Sequence, residues 1–172
     1  NVTADFKNPR EHYRRAEVCA KKIFQSGAVL ITIGGDHGIP IPIMRALPTD
    51  EPITLIQIDA HLDWRDSVNG EKEGYSSGMR RASELPFIKD IFQIGLRGVG
   101  SGREEDMNAA LQYGANLISA YEVHDRDVTE DALKALDRMA GARKAGDNEP
   151  FSLNIGYMLP HQPYVANKEL YA

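Results

Sequence analysis

Five short apolar runs, separated by segments of helical period, constrain this chain more than any other feature. They are "AVLITI" (28–33), "ITLIQI" (53–58), "IFQIG" (91–95), "NLIS" (116–119) and "FSLNI" (151–155). Such continuous, β-branched runs are the pattern of strands covered on both faces of a parallel sheet. Residues 10–26 place Tyr13, Ala16, Ala20, Ile23 and Phe24 at helical spacing, with Gly27 as the stop. Further helices are expected over 39–47, 80–85, 104–113 and 128–144, the last led by Asp127 and Glu130 as a capping box. Strands alternating with helices along the whole length imply an α/β fold, three layers deep, around a mainly parallel sheet. A length of 172 residues suits one domain spanning 1–172.

Composition narrows the function classes. A hydrophobic fraction of 42% and a charged fraction of 26% are those of a water-soluble globular chain. The net charge of -5 provides no basic footprint for nucleic acid. No apolar run approaches the ~18 residues of a membrane span. The polar N-terminus "NVTADFKNPREHYRR" does not read as a secretion signal, and its "NVT" is a chance-frequency glycosylation tripeptide. A single cysteine, Cys19, excludes an intrachain disulfide framework and fits a reducing compartment, the cytoplasm. It lies within the first helical pattern, where packing is its expected role.

Chemistry-bearing residues gather where two of the runs end. In parallel α/β sheets the functional crevice lies beyond the carboxyl ends of the strands. "ITLIQI" is followed at once by "DAHLDWRD", and "AVLITI" by "GGDHG". Along extended backbone, Asp59, His61 and Asp63 share a face and can converge on one ion or two. His37 approaches from the neighbouring loop, where glycines permit a tight turn. Two imidazoles and two carboxylates form a mixed N/O ligand set suited to Mn, Fe, Zn or Ni. The polar stretch 59–78 is too long to be padding in a compact domain and is expected to be a functional loop.

"GGDHGIPIPIMRAL", "IQIDAHLDWRD", "GYSSGMRRASE" and "FQIGLRGVGS" together resemble the ureohydrolase family, which includes arginase, agmatinase and guanidinobutyrase. The similarity runs from about Val29 to Phe151 and is nearest to the agmatinase-like branch. The resemblance implies an arginase-like fold and a binuclear manganese site whose hydroxide attacks a guanidinium carbon, giving urea and an amine. It assigns His37 and Asp63 to the first ion and His61 to the second, with Asp59 bridging them. It also implies a small guanidino substrate and a homo-oligomer.

Departures from the family pattern are equally specific. A D-x-D should follow the strand "FSLNI", but Gly156 and Met158 stand at its two positions. Without those carboxylates the second ion keeps only His61 and a shared Asp59, and one ion is expected to be lost. His161, His124, Asp125 and Asp127 are the nearby residues that could substitute, although "HDRD" (124–127) reads more simply as a loop leading a helix. Tyr75 takes the place of a proton-shuttling histidine. A phenol is a poor base at neutral pH, so it serves either as a hydrogen-bond donor or as loop packing. Asp66 lies where the family reads its substrate, so it either favours a substrate amine or is simply solvated. Trp64 either stacks on a guanidinium or packs the loop.

The chain begins at Asn1 and ends at "KELYA". Against the resemblance it reads as the middle half of a ureohydrolase about twice its size, lacking N-terminal and C-terminal strands, with 156–172 a divergent tail. Three functions remain in view: a guanidino hydrolase in a complete member, a non-catalytic metal-binding pseudoenzyme or fragment, and a mononuclear hydrolase.

Overall fold

The computed structural model describes residues 2–3, 7–98, 102–125 and 151–155. Helix α1 (Pro9–Gln25) opens on Asn8, whose side chain accepts the Glu11 amide at 3.1 Å, with proline at the first helical position. Proline fits there because the first-turn N–H groups have no intrahelical partner. Ser26 caps the other end, and Gly27 carries the chain away at φ 75°. Then come α2 (Pro40–Arg45), β1 (Ile53–Ile58), α3 (Gly78–Ser83), β2 (Ile88–Leu96), α4 (Glu104–Tyr113), β3 (Asn116–Ser119), α5 (Ala120–Asp125) and β4 (Phe151–Ile155).

The strands form a parallel sheet in the order β3-β2-β1-β4. The chain steps outward from β1 to β2 and β3, then returns to the far side of β1 for β4. The carboxyl ends of β1 and β4 therefore flank a topological switch point, where open α/β sheets form their crevice. Ile53, Leu55, Ile88 and Ile91 pack with Met79 and Ala82 of α3, Ala110 of α4, and Leu62 and Trp64 of the loop after β1. At about 1.5–3 kcal/mol for each large apolar side chain buried, this cluster holds the loop against the sheet.

The segment 28–33, expected as the first strand, is not one. Among the described residues no strand pairs with it, and the sheet runs β3-β2-β1-β4 without this segment. Instead Val29, Ile31 and Ile33 stand 89%, 81% and 96% exposed. An apolar, β-branched run is necessary for a buried strand but becomes one only beside a partner. Two smaller differences follow. Residues 120–125 form a short helix that takes in His124 and Asp125, the first two residues of the expected loop 124–127. The long loop after β1 contains a tight turn: Val68 and Glu71 exchange backbone hydrogen bonds of 2.8 and 3.0 Å across Asn69 and Gly70. Both of these have positive φ, as the Asn-Gly hairpin turn demands. The helix expected over 128–144, the Asp127 cap, Gly156, Met158, His161 and the tail 156–172 lie outside the described residues.

Candidate metal centre

The loop that leaves β1 is fixed by backbone hydrogen bonds before any side chain acts. The Asp59 amide donates to Ile94 O at 3.1 Å and the Arg97 amide to Ala60 O at 3.0 Å, extending the parallel ladder past the strand end. The chain then turns sharply at Asp63, whose φ is 54°. Aspartate tolerates this left-handed conformation better than most residues, and such strain concentrates at functional sites. Two amides at the start of α3, those of Met79 and Arg80, hold the Asp63 carbonyl at 3.0 and 3.1 Å. His37 sits on the turn before α2, where Asp36 Oδ1 accepts the Gly38 amide at 2.7 Å.

These elements bring His37, Asp59 and Asp63 together, with one donor atom from each lying within 4.8 Å of the others. His37 Nδ1 is 3.0 Å from Asp63 Oδ2 and 3.4 Å from Asp59 Oδ2. The hydrogen bond to Asp63 raises the His37 pKa above its ordinary value, burial opposing it and the nearby carboxylates adding to it. The two carboxylates make this a place that favours positive charge. Among the described residues Asp59 Oδ2 is buried without a hydrogen-bond partner, His37 Nδ1 lying 3.4 Å away, and a buried carboxylate oxygen that accepts no hydrogen bond is costly unless a cation faces it. Two carboxylates balance the charge of one divalent ion, and N/O donors are the set such ions take. The residues present therefore fit a divalent metal.

His61 lies on the other side of Asp59. Its ring Nδ1 is 3.1 Å from Asp59 Oδ1, and its backbone N–H donates to the same oxygen at 2.9 Å. Asp59 consequently turns one oxygen towards each histidine. The convergence does not come from the extended backbone that the i, i+2, i+4 spacing implied, because the left-handed turn at Asp63 replaces it.

The remaining candidates are placed as follows. Trp64 is only 2% exposed, its ring tilted at 54° against Tyr113 with centroids 5.6 Å apart, which leaves no ring face for a guanidinium. The reason is its indole N–H, which donates to buried Gln93 Oε1 at 2.6 Å and draws the side chain into the core. Asp66 is half-exposed and ion-paired with Arg81 at 2.8 Å, with Lys72 and Arg80 each at 4.0 Å. The Arg81 hydrogen bond holds its carboxyl below the usual range. Tyr75 is exposed in the loop before α3 and His124 is exposed on α5. Sequence reasoning passed over Gln57 and Gln93, facing each other on β1 and β2 and both 0% exposed. The signal was an amide inside an otherwise apolar strand.

Fold and site define an α/β domain with a candidate divalent-cation centre at the carboxyl end of an inner strand. The sequence profile of the arginase family matches residues 1–146, and the chain belongs to that family. It is 31% identical over 144 residues to the guanidinobutyrase of Pseudomonas aeruginosa, covering 82% of this chain and 45% of that protein. It is 34% identical over 101 residues to the human mitochondrial guanidino acid hydrolase, covering 57% of this chain and 29% of that one. Among solved structures, the agmatine ureohydrolase of Thermoplasma volcanium superposes with a TM-score of 0.64 at 26% identity, over 83% of this chain and 44% of that one. The chain thus spans less than half the length of each of these relatives.

Proposed function

We propose that this chain carries one half of a binuclear manganese centre that hydrolyses a linear, agmatine-like guanidino compound to urea and an amine. The observation that carries the proposal is the gathering of His37, Asp59 and Asp63 within 4.8 Å at the end of β1. In this reading His37, Asp63 and Asp59 would hold one ion, and His61 with Asp59 the second. Divalent ions bound there supply Lewis acidity and make water a usable nucleophile near neutral pH. The chain's own residues do the positioning: the His61 N–H orients Asp59, and the start of α3 fixes the backbone of Asp63. Tyr75, exposed on the loop, donates a hydrogen bond to the substrate or the departing amine. Asp66 meets the substrate's far end, its charge already balanced by Arg81. The names of the relatives, a guanidinobutyrase, a guanidino acid hydrolase and an agmatine ureohydrolase, support the guanidino group as the shared feature of the substrate.

A second reading has its own support. Gly156 and Met158 stand where two further carboxylates would complete the centre, which favours a non-catalytic, metal-binding member. We place the chain in the cytoplasm as a homo-oligomer. The exposed row of Val29, Ile31 and Ile33 supports association. No helix among the described residues is long and apolar enough to cross a membrane.

The test is manganese content and urea release measured on the same loaded sample, with agmatine and guanidinobutyrate as substrates. Bound manganese with urea supports the hydrolase, and bound manganese without urea supports the non-catalytic reading. Absence of bound metal removes both.

A further inference from the structure

Two glutamines in a hydrophobic core are an expensive choice. A buried amide costs free energy unless its hydrogen bonds are made, and leucine would fill the same space without that demand. Gln57 and Gln93 are paired in register on β1 and β2, on the face that carries the core. Their amides form a chain with one direction. The Trp64 indole N–H donates to Gln93 Oε1 at 2.6 Å, Gln93 Nε2 donates to Gln57 Oε1, and Gln57 Nε2 donates to Asp63 Oδ2 at 2.9 Å. Gln93 Nε2 also donates to Leu62 O at 2.8 Å. The direction is fixed at both ends, because an indole can only donate and an ionised carboxylate can only accept. A carbonyl in the middle, which also only accepts, fixes the Gln93 amide again.

We infer that Gln57 and Gln93 are positioning residues: a directed amide relay that holds the Asp63 carboxylate for a divalent cation and couples that cation to the Trp64 indole. This rests on the metal centre proposed above. Every donor in the relay points towards Asp63, so each bond polarises the next and favours the charged carboxylate. The bond to Leu62 O pins the backbone beside Asp63, where φ is 54°. The far end is also held, since Tyr113 packs against the indole and its own hydroxyl donates to Ile88 O at 2.8 Å. A cation that withdraws charge from Asp63 weakens its demand on Gln57, and the change passes through two amides to the indole proton.

Trp64 is the only tryptophan, so its indole N–H gives a single side-chain resonance. The experiment titrates the whole chain with zinc ions, a diamagnetic probe, following binding by calorimetry and the indole resonance by NMR. The expected result is an indole shift that saturates together with zinc binding. Gln57→Met keeps the volume and cuts the relay beside Asp63. It is expected to weaken zinc binding about 10–100-fold, the usual cost of losing a partner of a metal ligand, and to abolish the shift at saturation. Gln93→Met leaves the Gln57–Asp63 bond, so it abolishes the shift with a smaller loss of affinity. Zinc binding with no indole shift in the unsubstituted chain overturns the relay alone, whether or not either variant folds. A full shift or unchanged affinity in Gln57→Met overturns it as well. Absence of zinc binding overturns the metal centre and the relay built on it.

Discussion

The hydroxyl of Tyr13 occupies the space that a side chain at Gly38 would need. A Cβ placed on Gly38 would collide with it and would lie 2.8 Å from Asp36 Oδ1. Helix α1 therefore braces the turn that carries His37. Gly38→Ala is expected to destabilise the chain by about 1–3 kcal/mol, the usual cost of overpacking, read as a lower urea midpoint. Combined with Tyr13→Ala, the same substitution should cost clearly less. An equal cost in both backgrounds would show that the Tyr13 contact is not what excludes a side chain there.

Asp63 separates two roles, charge and backbone. Asp63→Asn keeps a residue that tolerates positive φ and an oxygen for Gln57, but loses the charge. Asp63→Val loses both and adds a branched Cβ at φ 54°. Divalent-ion affinity is expected to fall by more than the ~10–100-fold typical of outer partners in both variants. In chemical denaturation, valine should cost at least about 1–2 kcal/mol more than asparagine. Equal stabilities would mean that the left-handed turn is not enforced.

Tyr13, beside the turn that carries His37, also gives the chain a pH dependence. Burial pushes its phenol up to about 12 from an ordinary 10.0, with the charges of Asp36, Glu73 and Glu71 adding to the shift. A folded-state pKa above the unfolded value means that the contribution to stability is intact below pH 10 and is lost as pH rises towards 12. The urea midpoint should fall with pH across that window less steeply for Tyr13→Phe than for the unsubstituted chain. Parallel slopes would contradict this placement of the phenol.

Periodicity made much of this architecture legible. The runs at 53–58, 91–95, 116–119 and 151–155 all lie in parallel strands, because burial on both faces leaves an apolar signature. The run at 28–33 has the same signature and no strand, since pairing depends on a neighbour that a local pattern cannot report. Asp59 does follow a strand, whereas His37 follows a run that forms none, and spacing gave the wrong reason for Asp63, which is brought in by a left-handed turn rather than by extended backbone. For Trp64 the sequence leaves stacking on a guanidinium and packing open, and packing is what the structure has, with Gln93, far away in sequence, holding the indole. The glutamines themselves were hidden by averaging: one amide in a six-residue, mostly apolar run still reads as a buried strand.

The most direct test of the central claim is divalent-metal content per chain after manganese loading, for the unsubstituted protein beside Asp59→Ala. The expected result is at least one manganese ion retained per chain and its loss in the variant, because Asp59 faces both His37 and His61. A chain that retains no manganese, or retains as much with alanine at that position, would contradict the assignment of this cluster as a metal centre.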